Sequence, residues 1–167
     1  MERVSIWAAV AAVVVAVAAC GPSSAELRSA KTAVYSGDVG RILALAEAGA
    51  GDEHYKIGDV DDGHLTFETA GRFFSPEGDL QSEGAGGYVK VDNHSVKVSF
   101  IVALIETDDH RYVITVTPRT WQYLAGSPQM RELAPEDPNL PPFVKGRADS
   151  LALAIYERTR GYAIAPR

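Results

Sequence analysis

Four histidines, His54, His64, His94 and His110, are interleaved with Asp61, Asp62, Asp92, Asp108 and Asp109. Imidazole and carboxylate are zinc ligands, but a site needs three or four of them converging. No pair here has a ligand spacing and no His-Glu-x-x-His occurs. The expectation is solvated turn residues and no metal. Asp59-Val60-Asp61-Asp62-Gly63 has the outline of a calcium loop, yet its glycine falls fifth rather than sixth. Ala70 stands where the bidentate glutamate belongs, so a tight acidic hairpin turn is expected. Gly84-Ala85-Gly86-Gly87 precedes a strand pattern, whereas a phosphate cradle opens a helix. There is no Gly-x-Ser-x-Gly and no Ser-x-x-Lys. Glu68 and Glu106 are the only strand carboxylates beside apolar runs. Both are expected to face water, where a carboxyl lacks the apolar pocket that makes it a general acid. No catalytic residue and no cofactor is expected.

The single cysteine, Cys20, excludes a disulfide framework and a cysteine-ligated metal cluster. It closes a distinctive run. Met1-Glu2-Arg3 is a short polar head, and from Val4 to Cys20 only Ser5 is polar. Gly21-Pro22-Ser23-Ser24 then breaks the stretch, as at the end of a secretory leader. Val17-Ala18-Ala19-Cys20 resembles the lipobox of bacterial lipoproteins, with valine in place of the commoner leucine. The resemblance covers residues 1–21. It implies a signal peptide over 1–19, diacylglycerol on the Cys20 thiol and cleavage before Cys20. Acyl chains on one terminus hold a protein far more firmly than a single chain does. Gly21 is not the aspartate that retains enterobacterial lipoproteins in the inner membrane. The resemblance therefore points to the outer membrane, facing the periplasm. Residues 20–25 form the lipidated end and a tether, whose five residues from Gly21 to Ala25 reach at most about 18 Å.

The remainder, 26–167, is expected to be one domain. Ser24 caps a helix over 26–35, Gly37 stops it, and Asp38 caps a second over 39–48. Ala33 to Ala50 resembles one ankyrin helix pair. No second copy follows, and a lone repeat cannot bury its faces, so only a helical hairpin is expected. From His54 the period changes to two. Strands are expected over 54–60 and 64–69 around Asp61-Asp62-Gly63, over 88–92 and 95–106, and over 111–117, stopped by Pro118. Residues 118–142 hold six of the nine prolines and read as an irregular crossing. A short helix is expected at Trp121–Leu124, with Trp121, Tyr123 and Phe143 pinning the crossing to the sheet. Asp149 caps a last helix, 150–160, with Leu151, Ala154 and Ile155 inward.

The order implies an α+β fold, with an N-terminal helical hairpin and a C-terminal helix on a curved antiparallel sheet of about five strands. A cone-shaped, NTF2-like or cystatin-like arrangement suits it as architecture. The net charge of −6 argues against a nucleic-acid partner. Residues 47–109 carry −10 and residues 143–167 carry +3. Either helix and sheet complement each other, or Arg158, Arg160 and Arg167 face lipid headgroups or peptidoglycan carboxylates. The leading expectation is a lipid-anchored envelope protein that acts by binding an envelope protein partner as an assembly, scaffold or inhibitory factor. The alternative is a small-ligand or weakly hydrolytic domain with a pocket between helices and sheet, lined by Tyr88, Phe100, Tyr112 and Trp121.

Overall fold

A computed structural model describes residues 23–81, 89–107 and 110–164. The lipobox residues Val17, Ala18, Ala19 and Cys20 lie outside these, as do Gly84–Gly87, Tyr88, Asp108, Asp109 and Arg167. Among the described residues no helix is long and apolar enough to cross a membrane.

The fold is α+β: three helices and an open antiparallel sheet of eight strands. The first helix, α1 (Ser24–Thr32), starts at a capping box in which Ser23, not Ser24, accepts from the Glu26 amide. Glu26 in turn accepts from the Ser23 amide. It ends three residues before Tyr35, because Val34–Ser36 is strand β1. Tyr35 is 1% exposed, so burying its ring on the sheet outweighs continuing the helix. The expected helical hairpin is therefore absent: a strand separates α1 from α2 (Val39–Asp52), which Asp38 caps through the Arg41 amide.

Strands β2 (Ile57–Asp61) and β3 (Thr66–Thr69) form the expected hairpin. Then come β4 (Arg72–Phe74), β5 (Val96–Glu106), β6 (Arg111–Gln122) and β7 (Arg131–Leu133). The last helix is α3 (Pro142–Thr159), followed by a 3-10 turn and the two-residue β8 (Ala163–Ile164). The order across the sheet is β2-β3-β5-β6-β1-β8, with β4 also on β5 and β7 also on β6. Four of the five expected strands are present; the expected strand over 88–92 is not, since residues 90–92 are irregular and Tyr88 lies outside the described residues. The other four strands, β1, β4, β7 and β8, are two- and three-residue pieces, too short to show a period in sequence. Strands β3 and β4 lie end to end along β5. Glu68 faces Ile101 and Arg72 faces Val98, so the outer chain carries one extra residue, a bulge. Thr69 fills it, its hydroxyl accepting from the Phe100 amide.

The long strand β6 overturns two expectations. Pro118 does not end it, and residues 121–122 are strand rather than helix. The register explains why. At the two ends of β6, Tyr123 donates its N–H to the Ser95 carbonyl and the Arg111 carbonyl accepts from the Thr107 N–H, both on the β5 side. In an antiparallel ladder alternate residues bond to opposite sides, so the even residues of β6 point away from β5. Pro118 is one of these, and its missing N–H costs the β5–β6 ladder nothing.

The core lies between the sheet and the helices. Val96, Val98, Phe100, Val102 and Leu104 of β5 meet Ile42, Leu43 and Ala46 of α2 and Val144, Leu151 and Ile155 of α3. α2 and α3 pack closely at Gly49, where a Cβ would lie 2.7 Å from the Ile155 Cα. α3 begins eight residues earlier than expected, at Pro142, where a first-turn proline needs no side-chain cap. Asp149 is therefore inside the helix rather than at its cap. The complementarity of acidic and basic segments is internal at one point: Arg158 of α3 forms a two-pronged pair with Asp52 of α2, at 2.6 and 2.7 Å.

Candidate functional site

Strands β1 and β7 lie on the same side of β6 but do not meet. β1 covers Arg111–Val113 and β7 covers Thr120–Gln122. Between them, residues 114–119 of β6 have no neighbouring strand on that side. A groove of about 470 Å³ opens there. Its floor is Ile114, Thr115, Val116 and Pro118. Val144, Ala148 and Ala152 of α3 form a wall, Ala30 of α1 closes one end, and Pro135 and Leu140 line the loop side. The gap is a direct consequence of where β1 and β7 stop. α1 occupies the chain before Val34, and Pro135, two residues beyond Leu133, cannot supply an N–H to prolong β7.

Charge is confined to three residues. Lys31 of α1 and Lys145 of α3 both reach Asp149, at 2.5 and 3.0 Å. Asp149 is largely enclosed, with 18% of its side chain exposed. Burial pushes its carboxyl up, but hydrogen bonds and charge from Lys31 and Lys145 outweigh burial and hold it below its ordinary value. The groove is thus an apolar slot beside a cluster of net charge +1. Its volume falls within the range of small-molecule and peptide pockets, which combine apolar walls with few polar groups.

The floor adds a second kind of chemistry. By the alternation of β6, Val116 directs its N–H and C=O into the gap, and Pro118 directs its C=O there. Strand-free backbone in a groove can hydrogen-bond an extended ligand.

Of the four aromatic residues expected to line a pocket, Tyr88 lies outside the described residues and the other three do not converge here. Phe100 and Tyr112 are core residues, 0% and 8% exposed. Trp121 lies on the sheet face away from the helices, its ring between Lys97 at 5.8 Å and Arg119 at 4.8 Å. Glu68 shares that outer face. It accepts from Ser99 at 2.5 Å and pairs with Arg119 at 3.3 Å, a satisfied network rather than a carboxylate in water. Glu106 is exposed beside His110. His64 pairs with Asp61 at 2.6 Å within the hairpin turn. His54, His94 and His110 have left-handed backbone at φ 61°, 66° and 57°, and Ser95 donates its amide to Asp92 one turn away. Among the described residues no three His, Cys, Asp or Glu gather as a metal would require. Phe143 packs on Phe74, ring centres 5.6 Å apart.

Sequence reasoning passed over Lys31 and Lys145 entirely. The spacing of Lys145 and Asp149 by four residues was the available signal, an i,i+4 pair on one helix face. Lys31 carries no such signal, since its partner lies on another helix. No family model matches the chain, and no curated protein matches it.

Proposed function

We propose that this chain is a lipid-anchored protein of the bacterial cell envelope that acts by binding, and that the groove between α1, α3 and β6 is where it binds. The observation that carries the binding site is the coincidence of an apolar slot, a strand-free stretch of β6 and a cationic cluster in one place. The lipobox at Val17-Ala18-Ala19-Cys20 supports the anchor. α1 begins at Ser24, four residues after Cys20. Anchored there, with the outer membrane favoured by Gly21, the groove would sit close to the membrane surface.

A binding role fits the polar groups in the slot better than hydrolysis does. Both lysines are neutralised in part by Asp149, and the lining holds no hydroxyl or thiol beside a base. The alternative reading expects aromatic residues around a pocket between helices and sheet; the described lining of the groove is aliphatic, without Phe100, Tyr112 or Trp121.

Two measurements on the protein extracted from membranes test the proposal. The intact mass should correspond to a chain beginning at Cys20 and carrying acyl groups, and Cys20→Ser should be neither lipidated nor cut there. A chain that keeps Met1 and no lipid sinks the anchor. A dansylated eleven-carbon fatty acid should brighten saturably on binding, and Ala148→Trp, which fills the slot, should abolish this. Undiminished binding to that variant sinks the groove.

A further inference from the structure

Resting on that reading, the structure assigns the groove an occupant: we infer that it accepts an extended polypeptide segment of about four residues from a protein partner, added as a strand to β6 between β1 and β7, with an acidic side chain towards Lys31 and Lys145. Three observations combine. The gap lies in line with two strands, because β1 and β7 pair with that side of β6 at either end. Residues 115–118 span about 13 Å at the rise of a strand. Its floor has strand chemistry: Val116 turns a donor and an acceptor into the groove, and no described backbone group bonds to either. Its wall then suits alternate side chains. An inserted strand points every second residue at Val144, Ala148 and Ala152 of α3 and the others away from the helices.

An acyl chain alone would leave the backbone of Val116 unmatched, which is the reason for preferring a peptide. The charge argues for the acidic residue. Lys31 and Lys145 sit on opposite sides of Asp149 and exceed it by one, so a carboxylate is attracted and a lysine repelled.

The test uses six-residue peptides of alternating valine and threonine with glutamate at one end or the other, added to the full chain in detergent. Peptides N-methylated at each successive position complete the set. Expected is binding that N-methylation abolishes at alternate positions and spares between them, because only alternate amides face β6. Hydrogen exchange at the Val116 amide should slow at least tenfold on saturation. Replacing glutamate by lysine should weaken binding at least fivefold, and Lys31→Gln together with Lys145→Gln, which leaves Asp149 alone and takes the cluster from +1 to −1, should abolish or reverse that preference. Binding indifferent to the methylated position overturns the inference, as does unchanged exchange at Val116. If the dansylated fatty acid occupies the groove while no peptide in the set does, the groove is a ligand site and the strand inference fails alone. If neither probe binds, both readings fail.

Discussion

Replacing Asp149 by asparagine separates stability from binding at the groove, because the two should move in opposite directions. The amide has the shape of the carboxylate and keeps an acceptor, so the main loss is charge. Asp149 ties α1 to α3 through Lys31 at 2.5 Å and spans a helical turn to Lys145 at 3.0 Å. The lysine ends are 44% and 77% exposed, so each pair has surface strength, roughly 0.2–1 kcal/mol. Together they predict a loss of about 1 kcal/mol at neutral pH. The carboxyl is held below its ordinary value by the two lysines, against the opposing effect of burial. Its contribution is therefore complete above about pH 4, the unfolded value, and fades as pH falls through the lower folded value. Urea unfolding of wild type and Asp149→Asn should differ by about 1 kcal/mol at pH 7, and the gap should narrow as pH falls below about 4. Over the same change the cluster goes from +1 to +2. Affinity for the dansylated fatty acid, an anion, should rise about two- to fivefold at low salt, with the gain shrinking above roughly 0.5 M as charges are screened. A stability gap that does not narrow as pH falls below about 4 refutes the ion-pair reasoning. A fall in affinity refutes the placement of the cluster beside the ligand.

Four further outcomes follow from the packing. Gly49→Ala should destabilise by about 1–3 kcal/mol in urea, since its methyl would meet the Ile155 backbone at 2.7 Å. Gly146→Ala, with nothing within 4 Å, should stabilise α3 by about 0.5–1 kcal/mol. Phe100→Ala should cost about 3–5 kcal/mol, because the ring is fully buried. Trp121→Ala should cost under about 1 kcal/mol and leave fatty-acid binding intact, because its ring lies on the far face of the sheet with two cations. Intact masses of wild type and Cys20→Ser should differ by the acyl groups and by the removal of residues 1–19.

The readable parts of the fold are those where one physical signal dominates. Capping by Asp38, the β2–β3 hairpin around Asp61-Asp62-Gly63, and the apolar run of β5 all depend on residues adjacent in sequence. The unreadable parts depend on a neighbour distant in sequence. Val34-Tyr35-Ser36 looks like the end of a helix until Tyr112 and Arg111 are beside it. Pro118 looks like a stop until the alternation of β6 shows its nitrogen facing away from β5. The same limit governs the site. Aromatic residues invite assignment to a pocket, yet large rings serve the core first, and Phe100 and Tyr112 went there. The groove instead arises from what two short strands leave uncovered, and its charge from lysines on separate helices that meet at one aspartate. A gap in a sheet has no residue of its own to mark it. It becomes visible only once the ends of β1 and β7 are placed along β6, and for that reason the strand-accepting character of residues 114–119 rests on register rather than on any motif.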